Sequence, residues 1–494
     1  MPEFFQRRTM ISIVSIQLLT LIAFGLAVLH IAVSGFRSPL SSLPGPWYSK
    51  FTHLVLKFHI VAGRRIHYTH DLHRRYGPIV RVAPDEVAVS DVEAFSQIHK
   101  IGAGFLKSQW YDSTTPGREP GIFAQRDPRL HAARRRLFAQ AFSNSSLQRN
   151  WEPEIRAKVQ LAVARIRADA LAGEADVMKW WTLMATDVIA HLAFGESFHM
   201  LEIGKQTPYI DAVQSALLNS VLRNELSLLY HIGRWLPFKA IRSIVTADDV
   251  VYEYGALAIR NMRNQNGNTQ NLFGQMLAAA DSQEKATITD TSIRLEAGNL
   301  IVAGSDTTAV TLTYLVWAVL KNSDLQERLE EEMATLSPAL GLDELKGAPL
   351  LNSVIEETLR LYGAAPGALP RVVPPRGVNF HGCHIPGGTV VSTQAFTLHR
   401  DPKTFPNPEQ FDGYRFLDKS TMTPTQNTAF SPFGAGSRIC IGLHLALIEL
   451  RLGAALFFRD CRGARLSPSM TDDMMEMDNR FLIAPKGHCC KISL

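Results

Sequence analysis

One cysteine, Cys440, sits near the end of the glycine-punctuated segment FSPFGAGSRICIG, Phe430 to Gly442, two residues after Arg438. The segment offers no second sulfur for a disulfide and no second ligand for zinc. Thiolate is the useful form of cysteine, and a free thiol titrates at about 8.5. A place at a helix start surrounds the sulfur with peptide N–H groups and the positive end of the helix dipole, which predicts a lowered pKa. Gly434, Gly436 and Gly442 permit tight turns and let a flat, bulky ligand approach the backbone. Arg438 can meet an anionic edge of that ligand. The loop suits a thiolate held beneath a planar metal cofactor; a buried structural cysteine in a glycine turn fits the same residues.

A second polar group interrupts AGNLIVAGSDTTAV, Ala297 to Val310, an otherwise apolar helix with Gly304, Ser305, Asp306, Thr307 and Thr308 in succession. Hydroxyl and carboxylate groups there compete for backbone hydrogen bonds, which predicts a local bulge that admits water. Proton delivery to a bound oxygen species is one use for such a bulge; a kink between packed helices is the other. In EETLRLYGAAPGALPR, Glu357 and Arg360 stand three apart on one helix face, close enough to pair. Leu359, Leu361 and Tyr362 point to burial, and a buried pair needs further hydrogen-bond partners to offset desolvation. Arg415, in FPNPEQFDGYRF, is the candidate third member. In HAARRRLFAQAF, His131 and Arg135 are one helical turn apart and can reach the same anionic group. Arg371 and Arg438 can converge on it from elsewhere. A basic solvated helix face is the alternative, and it suits Arg134 and Arg136.

Elements must hold these groups in place. GPIVRVAPDEVAVSD, Gly77 to Asp91, alternates apolar and polar residues between turn formers and predicts a short hairpin. Helical spacing dominates from about residue 128 to 335, including DPRLHAARRRLFAQAF and the apolar run Ile293 to Leu320. A further helix covers about 349 to 362. Beyond Gly363 the pattern turns proline-rich and strand-like through GVNFHGCHIPGGTVVS. The final helix should start just after Cys440 and run to about Phe458. The resulting fold class is mainly α with small β-sheets, not alternating strand–helix units.

The chain has 494 residues, 46% hydrophobic and 20% charged, an ordinary globular balance with room for one large domain. A formal charge of +5 is small for this length and gives no footing for nucleic acid. Five cysteines, Cys383, Cys440, Cys461, Cys489 and Cys490, show no repeated spacing, which argues against a disulfide framework. His488, Cys489 and Cys490 lack a second ligand pair at a helpful spacing, so a peripheral strand or tail is expected there.

The N-terminus differs from the rest. From Thr9 to Phe36 there is no Lys, Arg, Asp or Glu. The run from Ile11 to Val33, at about 1.5 Å per residue, can cross a hydrocarbon layer of about 30 Å. It exceeds the ~7–15 apolar residues of a signal peptide. A retained single-span anchor over 1–36 is the expectation. LPGPW, Leu43 to Trp47, cannot continue a helix and marks a stiff hinge over 37–50, ahead of one domain over 51–494. Arg7 and Arg8 precede the span while Arg37 and Lys50 follow it, so charge leaves the orientation open.

In this order AGSDTT, EETLR, FDGYRF and FGAGSRICIG resemble the cytochrome P450 family, and the likeness runs from the anchor to the final helix. The resemblance implies haem b as cofactor, with Cys440 as the axial thiolate of the iron. It implies Asp306 and Thr307 as an acid–alcohol pair that relays protons during oxygen activation. Glu357, Arg360 and Arg415 would form a buried structural triad behind the haem. His131, Arg135, Arg371 and Arg438 would hold the propionates, with His131 where tryptophan is often found. Gly413 stands where the family commonly has proline, which puts the local loop shape in question but not Arg415.

HDLHRRYGPIVRVAPDEVAV and LPGPWYSK look most like fungal members acting in secondary metabolism, including hydroxylases of trichothecene-type sesquiterpenoids. That likeness implies an endoplasmic-reticulum anchor, a cytosolic catalytic domain and electrons from a separate NADPH–cytochrome P450 reductase. No flavin or nicotinamide fingerprint occurs in the sequence, so the donor is external, with Arg134 and Arg136 as candidate docking contacts. The implied reaction is hydroxylation or epoxidation of a lipophilic terpenoid or polyketide. Its pocket would be mainly apolar, built from about 105–123, the helix around Ala303, and Ala364 to Leu369. The alternatives are a haem-thiolate isomerase or dehydratase working without oxygen, and a non-catalytic haem-binding membrane protein. Thr307 beside Asp306 favours oxygen activation.

Overall fold

The computed structural model describes residues 2–114, 119–207, 219, 221–233, 235–236, 238, 242, 271–274 and 290–494. Most of the helical pattern between 208 and 289, and residues 115–118 of the expected pocket segment, lie outside these.

Helix α1 (Pro2–Arg37) is continuous, and its stretch Gln17–Arg37, of mean hydropathy 2.2, is apolar and long enough to cross a membrane. The proline-rich segment after it is docked on the domain. Leu40 and Leu43 are buried among Ile79, Val87 and Val89. The Arg81 N–H donates to Pro44 O at 2.8 Å. The Arg81 guanidinium is buried and donates to Ser38 Oγ at 3.2 Å and to Pro84 O at 2.7 Å.

The expected hairpin forms from β1 (Ile79–Ala83) and β2 (Glu86–Val89), with Ile79 opposite Val89. Three further strands complete its sheet: β3 (Leu106–Lys107), β4 (Arg371–Val372) and β5 (Val390–Thr393). Their order is β1-β2-β5-β4-β3, with β2 and β5 parallel and the other pairs antiparallel. The register sets Lys107 opposite Arg371, so two cationic side chains share one end of the sheet.

The helices that carry the site follow from local signals. Helices α2 (Leu54–Val61), α3 (Arg65–Tyr76) and α4 (Val92–His99) flank the sheet. Helix α5 (Pro128–Ala139) starts where the Asp127 carboxylate accepts from Arg129 N at 2.7 Å and Leu130 N at 3.1 Å, with Pro128 in its first turn. Helices α6 (Glu152–Leu171), α7 (Val177–Phe194) and α8 (Asp290–Leu320) build the interior. Helix α9 (Ser323–Thr335) lends Glu332 as a cap to α10 (Pro349–Tyr362), accepting from Leu350 N at 2.9 Å and Leu351 N at 2.8 Å. Helix α11 (Leu443–Asp460) ends the series. One apolar core joins α6, α7, α8 and α11 through side chains such as Ile155, Trp181, Leu312 and Phe457. Helix α8 is apolar enough to span a membrane, yet most of its apolar stretch Leu295–Leu320 is buried, as befits a core helix.

Candidate active site

A cavity of about 630 Å³ opens between α5, α8, α11 and the end of the sheet. The Cys440 sulfur faces it: the side chain has exposed area yet sits deep in the molecule, because what it faces is the cavity. Burial pushes the Cys440 thiol up, while the N–H groups of Gly442 and Leu443 and the Arg135 guanidinium pull the other way. The expected lowering is therefore absent in the protein alone, where desolvation outweighs the helix start. Gly436 earns its place by geometry. Its φ is +64°, and a Cβ there would stand 1.9 Å from His99 O.

The four predicted ligand-edge residues converge. Arg135 donates to Ile439 O at 2.7 Å, and Arg438 to Gln125 O at 2.6 Å. Arg371 donates to the Tyr111 hydroxyl at 3.1 Å and to Pro370 O at 3.0 Å. His131 is buried on the same wall, and burial, then Arg438, Lys107 and Arg135, lower its pKa to about 3, so its ring is neutral. Lys107, absent from the sequence reading, joins them from β3. Its ammonium donates to Phe123 O and lies 4.0 Å from the centre of the Tyr111 ring. Burial, then Arg371 and Arg438, hold the Lys107 pKa well below its usual value. Burial, then chiefly Arg371, lowers Arg438 to about 10. Among the described residues these four cations donate only to neutral oxygens and find no carboxylate. An uncompensated cationic cluster inside a protein fits a ligand with more than one carboxylate. A haem, with two propionates at one edge and a metal at its centre, meets this donor set.

Helix α8 closes the other side. Thr307 lines the cavity, its hydroxyl donating to Ala303 O at 2.8 Å. Ser305, Thr311 and Thr313 likewise donate to the carbonyl four residues back. The helix is unbroken through this cluster, so the expected bulge does not form. These hydroxyls add to the helical hydrogen bonds instead of replacing them. Asp306 does not line the cavity; it has no hydrogen-bond partner among the described residues, and burial pushes its carboxyl to about 6. Glu449 on α11 does line it. Burial raises Glu449 to about 8, partly offset by Thr308. Sequence reading missed this residue, although an acid inside the apolar run ALIELRLGAAL was the signal available.

The structural triad assembles away from the cavity. Arg360 grips Glu357 with two hydrogen bonds of 2.7 Å, both side chains fully buried. Arg415 adds contacts of 3.0 and 3.2 Å to the same carboxylate, and the Asp412 N–H donates to it at 2.9 Å. Arg360 also donates to His399 O and Pro408 O, both at 2.7 Å, so the buried charges are satisfied. The loop with Gly413 in place of proline still delivers Arg415.

The pocket wall agrees in part with expectation. Trp110, Phe123, Ala303, Ala364 and Leu369 line the main cavity, whereas Gly367 and Ala368 line a separate side pocket of about 30 Å³. Phe481 of the C-terminal segment, which sequence reasoning missed, stacks on Trp110 at 5.8 Å. Arg134 is not free for docking, since it pairs with Glu119 at 2.6 Å and Glu296 at 3.3 Å; Arg136 is exposed. His488, Cys489 and Cys490 gather no metal-ligating group among the described residues.

A helical domain with one cysteine sulfur beneath a cation-edged cavity has the architecture of a haem-thiolate oxidoreductase. Residues 43–492 match the family model Cytochrome P450, and the chain belongs to that family. It is a monooxygenase with haem b as cofactor and electrons from a separate redox partner. It is 40% identical over 467 residues to cytochrome P450 monooxygenase stcB of Emericella nidulans, covering 93% of this chain and 89% of that protein. Cytochrome P450 monooxygenase aflV of Aspergillus parasiticus is 40% identical over 476 residues, 94% of each chain. Methylphloroacetophenone oxidase of Cladonia uncialis is 33% identical over 388 residues, 76% of this chain and 85% of that protein.

Proposed function

We propose that this enzyme hydroxylates or epoxidises a lipophilic fungal secondary metabolite, a terpenoid or a polyketide, using O2 and electrons from an NADPH–cytochrome P450 reductase. Bound haem supplies the redox-active iron at which oxygen is activated. Cys440 would hold the iron through its thiolate. Arg135, Arg371, Arg438 and His131 hold the propionates, with Lys107 as a fifth contact. Thr307 presents a hydroxyl to the cavity for proton delivery, with Asp306 next to it as the acid held at a raised pKa. Glu357, Arg360 and Arg415 keep the loop before Cys440 in register. The observation that carries this reading is a single sulfur and a set of uncompensated cations facing one cavity. Similarity to the methylphloroacetophenone oxidase of Cladonia uncialis supports the polyketide branch.

The same reading makes α1 a single-pass endoplasmic-reticulum anchor, residues 37–50 a stiff hinge held against the domain, and 51–494 a cytosolic catalytic domain. Support comes from exposed apolar side chains near that end, Trp47, Leu54 and Phe58 among them. The deciding experiment is the spectrum of the reduced, carbon-monoxide-bound protein. The thiolate-type Soret shift should appear in the wild type and vanish in Cys440→Ala. Wild-type protein that folds without taking up haem, or that gives a histidine-type spectrum, overturns the assignment.

A further inference from the structure

The loop from Glu119 to Phe123 is tied to two helices by one ionic clasp. Arg134 of α5 donates to Glu119 Oε1 at 2.6 Å, to Glu296 Oε1 at 3.3 Å, and to Pro120 O. Glu296, on α8 and almost wholly buried, also accepts from Ile122 N at 2.7 Å, and Ser292 on the same helix donates to Glu119 Oε2 at 3.0 Å. Contact between loop and helix is close. A Cβ on Gly121 would stand 2.3 Å from Asn299 Nδ2 and 3.0 Å from Glu296 Oε2. The consequence lies on the other face of the loop, where Ile122 and Phe123 line the cavity beside Asn299. The clasp therefore sets how far this wall stands from α8.

We propose that Arg134 and Glu296 are positioning residues: by fixing Ile122 and Phe123 against α8 they set the size of ligand that the cavity admits. The inference rests on reading this cavity as the substrate site. Burying the Glu296 carboxylate is costly, and its partners are the loop and the helix that must stay together, so the pair specifies one loop position. Loosening it lets the wall move out, which relaxes discrimination against bulky ligands and costs small ones nothing.

The test uses haem-loaded full-length protein titrated with imidazole, 4-phenylimidazole and ketoconazole, followed by the Soret shift. Hydrogen exchange of the peptide covering residues 119–126 is measured in parallel. Arg134→Gln should improve ketoconazole affinity relative to imidazole by about tenfold, the scale on which pocket fit discriminates, and should speed exchange at Ile122. Arg134→Lys should recover part of both effects. An unchanged affinity ratio with unchanged exchange overturns the proposal. Should Arg134→Gln fail to hold haem, Glu119→Gln breaks only the half-exposed outer link and must shift both readouts in the same direction; no shift there overturns it equally. If the wild type answers none of the three azoles, the reading of the cavity fails, and the exchange rate at Ile122 still decides the clasp.

Discussion

Thr308 Oγ1 donates a 2.9 Å hydrogen bond to Glu449 Oε2, joining α8 to α11 beside the cavity, while Glu449 Oε1 is buried without a partner among the described residues. One oxygen satisfied and one bare is the arrangement expected of a carboxyl that stays protonated in the folded state.

That state has a pH signature. Folding raises Glu449 from 4.5 to about 8. In that window the folded protein holds a proton that the unfolded chain has released. The stability from this group is thus fully present below the unfolded pKa and is lost as pH rises through the folded one. The melting temperature of the wild type should fall between about pH 5 and 8 more steeply than that of Glu449→Gln, which mimics the protonated form. Parallel curves would show that Glu449 is ionised at neutral pH.

Breaking the triad at its centre should cost most. Glu357→Ala leaves Arg360 buried without a counter-charge, a loss of about 3–5 kcal/mol, and should abolish stable haem retention. Arg415→Ala removes a partly exposed partner and leaves the Arg360–Glu357 pair intact, so its loss should be clearly smaller. Denaturant midpoints and haem absorbance of the two variants give the ranking, and equal losses would contradict it.

Thr307→Ala removes the hydroxyl facing the cavity and keeps the helix. Product formed per NADPH consumed should fall by about 10²-fold, the scale of a lost positioned proton donor, while NADPH oxidation continues. A variant with unchanged yield would leave proton delivery to another group.

Gly436→Ala places a methyl group against His99 O in a backbone conformation that alanine rarely adopts. The loss should exceed about 1 kcal/mol and appear as failure to assemble the cysteine loop. Gly442→Ala is the control: the nearest atom to a Cβ there is Cys440 Sγ at 3.8 Å, an ordinary contact. It should fold and take up haem; similar losses in both variants would mean that general loop rigidity matters, not the close approach.

What the sequence made legible were groups whose chemistry is written in local order. The turn around Cys440, the Glu357–Arg360 spacing and the His131–Arg135 helix each lie within a few residues, and their geometry follows from one element. Lys107 could not be found this way, because its meaning comes from lying opposite Arg371 across a strand pair joined over hundreds of residues. Arg134 was misread for the same reason: on its own helix it belongs to a basic face, and only Glu119 and Glu296 in space make it internal. Glu449 carried a visible oddity, a lone acid in an apolar helix, but its partner Thr308 lies 141 positions away. The sign of the Cys440 shift was missed because depth of burial cannot be read from a loop.

The docking of Leu40, Leu43 and Pro44 on the sheet, held by Arg81, has a mechanical result. A globule glued to its tether cannot swing beneath it like a bead on a thread. With α1 in a bilayer, as proposed above, its tilt would pass into the docked domain, so bilayer thickness would bear on which flank of the domain meets the surface.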